Sequence, residues 1–226
     1  MRMTDDRLIL ALDGLDLERA LQLTSWLGKY AYAVKVHDLV DSEGGGVIGK
    51  LKRAGAKRVF GDYKLLDIPK TVGRRAKALK KHGADIITIH AQGGPDMIAA
   101  AAASGAEIWT ITVLTSLVPE QVEGNYGRTP EDAVKYFAGI AAAAGAAGFV
   151  CSPLEVGSLA HIDQRFKRVV PGTRSVGVAA GDQKRVATPL EALQGGAHHL
   201  VIASQVVEAA YPVKAWMDLV AEINPA

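Results

Sequence analysis

Charged residues fall at the ends of several short apolar runs, and their spacing can bring them together. Asp13 closes the run 7–13 (RLILALD), Lys35 lies near the end of 31–36 (AYAVKV), and Asp62 closes 57–62 (KRVFGD). The last continues as Asp62-Tyr63-Lys64-Leu65-Leu66-Asp67-Ile68-Pro69. Asp62 and Lys64, two apart at a strand end, are expected to point to the same side. Asp67 falls past the strand, just before a proline suited to open a helix. A charge that interrupts an apolar strand needs a partner, because burying it alone is costly. Asp13, Lys35, Asp62 and Lys64 could satisfy one another, and with Asp67 they would alternate in sign. Such a network either braces the mouth of a barrel or offers preorganised charge to a reaction in a dry pocket. Spacing alone leaves both readings open.

The elements that would carry these residues alternate regularly. Strands are expected at 7–13, 31–36, 57–62, 85–90, 107–113, 147–151, 167–171 and 198–203, short apolar runs bounded by turn residues. Helices fit between them at 16–28, 46–54, 69–82, 95–104, 130–144, 155–164, 188–195 and 212–223, with Asp16 as an N-cap. Gly28, Gly55, Gly83, Gly105, Gly145 and Gly196 precede strands, where a left-handed helix C′ residue would turn the chain. Eight such units predict a single-domain (β/α)8 barrel over 1–226, with an open doubly wound sheet as the alternative. No Gly-x-Gly-x-x-Gly follows the first strand, which weakens a dinucleotide-binding version. In such a barrel the site lies at the C-terminal strand ends. That adds His90, Thr115 with Ser116, Cys151 with Ser152, and Pro171-Gly172-Thr173-Arg174 to the mouth.

Composition narrows the classes. With 226 residues, 49% apolar and 22% charged, the chain is globular. Lys and Arg exceed Asp and Glu by only two (26 against 24), which gives no nucleic-acid footprint. One cysteine, Cys151, allows no internal disulfide, and the charged start followed by a short apolar run fits neither a signal peptide nor a membrane span. A cytosolic chain is expected. His198-His199 would face opposite sides of a strand and cannot easily share a metal ion. Gly44-Gly45-Gly46 more simply opens a helix than cradles phosphate.

DYKLLDIPKTV (62–72) resembles the Asp-x-Lys-x-x-Asp-Ile-Pro-x-Thr-Val signature of the orotidine 5′-phosphate decarboxylase family. LILALD (8–13), AVKV (33–36), HAQGG (90–94), VLTS (113–116), VCSPLE (150–155), PGTR (171–174) and GDQKRVATP (181–189) resemble further family segments, in family order. The resemblance implies a cofactor-free decarboxylation of orotidine 5′-phosphate to UMP, without a metal, in pyrimidine synthesis. It implies that Lys64 protonates C6 of the pyrimidine. Asp62 would sit near the departing carboxylate and fix Lys64, and Lys35 with Asp13 would hold the ribose. Asp67 would reach into the partner's site of a homodimer. Thr115 would contact the pyrimidine amide edge, and Arg174 and Gln183 the phosphate. Ile68, Thr71, Ala203 and Ser204 complete the implied substrate contacts, and a lid between Thr173 and Pro189 would close over the ligand.

One departure stands out. The family carries Gly-Arg-Pro after the eighth strand, its Arg gripping phosphate, whereas this chain has Ala203-Ser204-Gln205. Arg174, Lys184 or Arg185 could compensate, or the chain could be weakened or take another ligand. The Mg²⁺-dependent sugar-phosphate decarboxylases and lyases of the same superfamily share the Asp-x-Lys-x-x-Asp core but carry a carboxylate at the position of Lys35. They remain the alternative, beside a non-catalytic nucleotide-binding homologue.

Overall fold

The computed structural model of the chain describes residues 3–159, 162, 165–177 and 187–225. Eight strands close a parallel barrel in sequence order: β1 (Asp5–Ala11), β2 (Ala31–Val36), β3 (Val59–Leu65), β4 (Ile86–His90), β5 (Glu107–Ile111), β6 (Gly148–Val150), β7 (Lys167–Pro171) and β8 (His199–Ile202), with β8 pairing back onto β1. The helices are α1 (Leu17–Leu27), α2 (Leu39–Glu43), α3 (Gly46–Arg53), α4 (Pro69–His82), α5 (Gly94–Ala102), α6 (Pro119–Tyr126), α7 (Pro130–Ala143), α8 (Pro189–Gln194), α9 (Ser204–Val207) and α10 (Pro212–Glu222).

Local chemistry sets the helix starts. The Asp16 carboxylate accepts the Arg19 N–H at 2.8 Å, and Thr188 and Glu191 cap α8 reciprocally. Of the six glycines expected to turn left-handed, five do, but Gly28 has φ −57°. Gly28 is required by space instead, since a Cβ there would meet the Thr24 carbonyl oxygen at 2.6 Å.

The predicted barrel is therefore present, with local corrections. The helix expected at 155–164 is, among the described residues, a 3₁₀ turn at Gly157–Leu159. The Glu155 carboxylate turns back to accept the Ser152 N–H at 3.0 Å, closing a tight loop where a helix was expected. Three short helices, α2, α6 and α9, were not anticipated. Their few residues carry too little periodicity to stand out from loop. β3 runs three residues beyond the expected end, so Lys64 belongs to the strand.

Alternation along the strands divides the core. Leu8 and Leu10 join the layer between barrel and helices, while Ile9 and Ala11 join Ala33, Phe60, Ile86, Trp109, Val169 and Val201 inside the barrel. Aromatic rings fill the N-terminal end. Tyr32 stacks on His199 with centroids 3.9 Å apart, Trp109 stacks on His199 at 5.8 Å, and Phe60 meets Trp109 edge-on at 5.0 Å. The Arg58 guanidinium lies 4.6 Å over Tyr32 and pairs with Glu107, which also accepts the Trp109 indole N–H. This floor leaves the C-terminal end as the way into the barrel.

The floor has a pH consequence. Nδ1 of His199 lies 3.0 Å from the Asp6 carbonyl oxygen, while Nε2 is buried with no hydrogen-bond partner among the described residues. Burial first, then the charge of Lys167, push its pKa down to about 4. The unfolded imidazole titrates near ~6.5, so His199 contributes its full stability above that pH and loses it as the pH falls toward 4. The expected loss between pH 7.5 and 5.5 is about 1 kcal/mol. Urea unfolding of the wild type and His199→Gln at both pH values tests this: the variant should lack that acid sensitivity, and equal sensitivity would refute it.

Candidate active site

β3 and β4 are locally out of step. Gly61 pairs with Ile87 and Leu65 with Ile89, so Asp62, Tyr63 and Lys64 together stand opposite Thr88. Extra residues in one strand form a bulge that re-aims side chains. At this bulge Lys64 adopts φ +47°, the only non-glycine residue with positive φ among the described residues. The left-handed region is unfavourable for a residue with a Cβ and is found where the surroundings enforce it.

The bulge directs Asp62 and Lys64 to the mouth of the barrel. The Lys64 ammonium donates to Asp62 Oδ2 at 2.7 Å, and the Lys35 ammonium donates to the same oxygen at 3.0 Å. Lys35 Nζ also reaches both Asp13 oxygens, at 2.8 and 2.6 Å. The other Asp62 oxygen, Oδ1, accepts the Thr88 hydroxyl at 2.8 Å. Just past the end of β2, His37 Nδ1 lies 2.5 Å from the Asp62 carbonyl oxygen. Both oxygens of this carboxylate are thus spoken for, and it is fixed in orientation.

Burial alone would raise the Asp62 pKa, but the charges of Lys35 and Lys64 outweigh it and hold the carboxyl well below the usual range. Burial likewise pulls on Lys35 from the other direction, and the Asp62 and Asp13 carboxylates overcome it, raising the ammonium pKa. Asp62 and Lys35 are therefore both charged through the neutral range. Half-buried His90, at the end of β4, has its pKa lowered by burial and by the Lys64 charge, which keeps it neutral beside the cluster.

The four charges form one wall of a cavity of about 250 Å³. Ala11, Phe60, Ile111, Val150 and Val201 give it an apolar base, and Val113, Leu114, Thr115, Pro171, Gly172, Arg174 and Ala203 complete the lining. Since β1–β3 lie across the closed barrel from β5–β7, the charged wall faces Thr115 and Arg174. A charged wall over an apolar base can bind a partly apolar ligand and stabilise charge that develops on it.

Of the residues predicted from sequence, Asp13, Lys35, Asp62, Lys64, Thr115, Arg174 and Ala203 line this cavity. Asp67, Ile68 and Thr71 do not. Asp67 is exposed, its Oδ1 accepting the Ile68 N–H at 2.6 Å, and within one chain it stays out of the charge cluster. Ser204 is half-buried at the start of α9, beside the lining rather than in it. Gln183, Lys184 and Arg185, with most of the expected lid, lie outside the described residues. The base of that segment is clasped by the Arg174 N–H donating to the Ala187 carbonyl at 3.1 Å. Cys151 is fully buried in strand packing, and burial pushes its thiol pKa up, as befits a packed residue rather than a nucleophile.

Sequence reasoning missed Thr88 and the apolar base. Thr88 had a readable signal: it is the one polar residue in the otherwise apolar run Ile86-Ile87-Thr88-Ile89.

Residues 6–219 match the orotidine 5′-phosphate decarboxylase / HUMPS family. The chain is 41% identical over 226 residues to the orotidine 5′-phosphate decarboxylase of Rhodopseudomonas palustris (strain BisB5), covering 98% of this chain and 96% of that protein. It is 39% identical to the enzyme of the same name from Moorella thermoacetica, covering 97% and 92%. The crystal structure of orotidine 5′-phosphate decarboxylase from Lactobacillus acidophilus superposes with a TM-score of 0.83 at 32% identity, covering 98% of this chain and all of that one.

Proposed function

The chain belongs to the orotidine 5′-phosphate decarboxylase / HUMPS family, and from that premise we propose that it decarboxylates orotidine 5′-phosphate to UMP with no cofactor, using Lys64 as the proton donor. The single observation that carries this reading is the Asp62 oxygen shared by two ammonium groups, Lys35 and Lys64, at the wall of a closed-bottom cavity. In the reaction the bond from C6 to the carboxylate breaks, CO₂ leaves, and the electron pair stays on C6. The Lys64 ammonium stabilises that charge before the transfer and then supplies the proton that forms the new C6–H bond. Preorganised charge of this kind does not have to reorganise as the reaction proceeds.

The remaining roles are those the family resemblance implies for these cavity-lining residues. Asp62 lies beside the departing carboxylate and holds Lys64 in place; Lys35 and Asp13 take the ribose hydroxyls. Thr115 meets the amide edge of the pyrimidine, and Arg174 grips the phosphate, where a guanidinium can bind two oxygens at once. The Lys35 ammonium occupies the space between Asp13 and Asp62, where a sugar-phosphate lyase of the superfamily would need carboxylates free for a divalent ion. That favours the metal-free reaction.

The protein acts as a homodimer, with Asp67, Ile68 and Thr71 completing the neighbouring site. Leu66 is 47% exposed and Ile68 65% exposed on the segment bearing Asp67, an apolar margin that a second copy would cover. Among the described residues no helix is long and apolar enough to cross a membrane, and a lone, buried cysteine suits the cytosol.

The test is a spectrophotometric assay with orotidine 5′-phosphate after EDTA treatment, with sedimentation at the same concentration. Turnover that survives EDTA, from a species of twice 23.8 kDa, is expected. Activity restored only by Mg²⁺ would favour a sugar-phosphate enzyme, and UMP binding without CO₂ release a non-catalytic homologue; either refutes the reading.

The Ser204 departure makes a separate prediction. Ser204 adjoins the cavity-lining Ala203, and the next residue, Gln205, accepts the Ser175 N–H at 3.3 Å, beside Arg174. A charged hydrogen bond to phosphate from this position is worth roughly 10–100-fold in affinity. Ser204→Arg is therefore expected to lower KM by about that factor; an unchanged KM would mean that the side chain does not face the phosphate.

A further inference from the structure

We infer that Thr88 is a positioning residue for the decarboxylation: its hydroxyl bridges the backbone of Lys64 and the carboxylate of Asp62 and so sets where the proton donor stands. This rests on the roles given above to Lys64 and Asp62. Thr88 is fully buried on β4, inside the barrel and opposite the β3 bulge. Its Oγ1 accepts the Lys64 backbone N–H at 3.0 Å and donates to Asp62 Oδ1 at 2.8 Å. One hydroxyl thus uses its acceptor and donor capacities on the two residues whose relative placement matters most.

The reason such a group is needed lies in the strand register. Three β3 residues face one β4 residue, so Lys64 cannot keep the regular ladder, and its N–H would be left without a strand partner. A side-chain oxygen from the single opposing residue fills that vacancy. Meanwhile Lys64 sits at φ +47°, a conformation its Cβ disfavours and that must be held by its surroundings. The same hydroxyl occupies the Asp62 oxygen that neither lysine uses, which keeps the carboxylate from rotating and carrying Oδ2 away from both ammonium groups. An apolar residue of the same shape could pack in this position but could do neither task.

Steady-state kinetics on Thr88→Val, Thr88→Ser, Thr110→Val and Lys64→Ala test the inference, with melting curves to confirm folding. Thr88→Val keeps the shape and loses the hydroxyl, and is expected to lower kcat by about 10–100-fold with KM within about threefold of the wild type. Thr88→Ser keeps the hydroxyl and is expected to retain kcat within about threefold. Among the described residues the equally buried Thr110 hydroxyl bonds only the Gly148 carbonyl, at 3.5 Å, so Thr110→Val should leave kcat unchanged. Near-wild-type kcat in Thr88→Val, an equal loss in Thr88→Ser or Thr110→Val, or a loss confined to KM would each overturn the positioning role. Should Thr88→Val fail to fold, the serine variant still decides: its kcat must stay close to wild type. Lys64→Ala separates the two levels of the reading. An inactive Lys64→Ala beside a fully active Thr88→Val refutes only the inference, whereas an active Lys64→Ala refutes the role of Lys64 itself.

Discussion

Lys64→Ala should fold normally and lose turnover of orotidine 5′-phosphate by on the order of 10⁴-fold or more. Two losses combine in it. Removing a preorganised charge from a developing anion costs roughly 10²–10³-fold, and removing a positioned proton donor costs roughly 10²–10⁴-fold. Folding should survive because the Lys64 side chain is about one-third exposed (32%) and Asp62 retains Lys35 and Thr88. The substitution also removes little that binds the remote phosphate, so the affinity for UMP should change far less than kcat. The paired measurement is turnover by absorbance and UMP affinity by calorimetry. A variant with kcat within tenfold of the wild type would exclude Lys64 as the donor, and a parallel collapse of UMP binding would make it a binding residue instead.

Lys35→Met should act on stability. The Lys35 side chain is only 7% exposed and holds Asp13 and Asp62 together. Removing one member of a buried ion pair typically costs ~3–5 kcal/mol, because the other charge is left without its partner. The low end, about 3 kcal/mol, is expected, since Asp62 keeps Lys64 and Asp13 reaches water. For a chain of this size that is a fall of roughly 6–12 °C in Tm.

The pH dependence of that deficit follows from the two shifts. Asp62 is lowered in the fold, so its contribution is present above the unfolded carboxyl value near ~3.9 and is lost as the pH falls below it toward the folded value. Lys35 is raised, so its contribution is present below the unfolded value near ~10.4 and is lost as the pH climbs through the folded value. The gap between wild type and Lys35→Met should therefore be flat from about pH 5 to 10 and narrow at both extremes. Chemical unfolding across that range measures it. Equal stability at neutral pH, or a gap that widens below pH 4, would show that the buried cluster does not hold this part of the barrel together.

The site residues divide into those that local sequence reveals and those it hides. Asp13, Lys35, Asp62 and Lys64 were readable because each is a charge at the end of an apolar strand, and burial forces such charges to find one another. Thr115 and Arg174 were readable from the rule that barrel chemistry sits at C-terminal strand ends, together with family resemblance. Thr88 obeyed the same logic of an interrupted apolar run, yet a neutral hydroxyl raises no alarm, since threonine is common in strands. The aromatic floor of Tyr32, Trp109 and His199 escaped notice because its members lie far apart in the chain and meet only across the barrel.

By itself the sequence determined the count and order of the strands, the starts of the capped and periodic helices such as α1, α4, α7 and α10 but not of the short α2, α6 and α9, and the identities of the four clustered charges, all of which depend on periodicity, capping and hydrophobicity within a few neighbouring residues. The tertiary structure decided how those charges are aimed. Simple alternation predicted that Asp62 and Lys64 share a side, but they do so across a bulge with Lys64 in a left-handed backbone, and Asp67 stands apart on an exposed segment. A bulge exists only relative to a partner strand, so its presence is a property of the β3–β4 register and of the hydroxyl that fills the gap. No window along one strand contains that information.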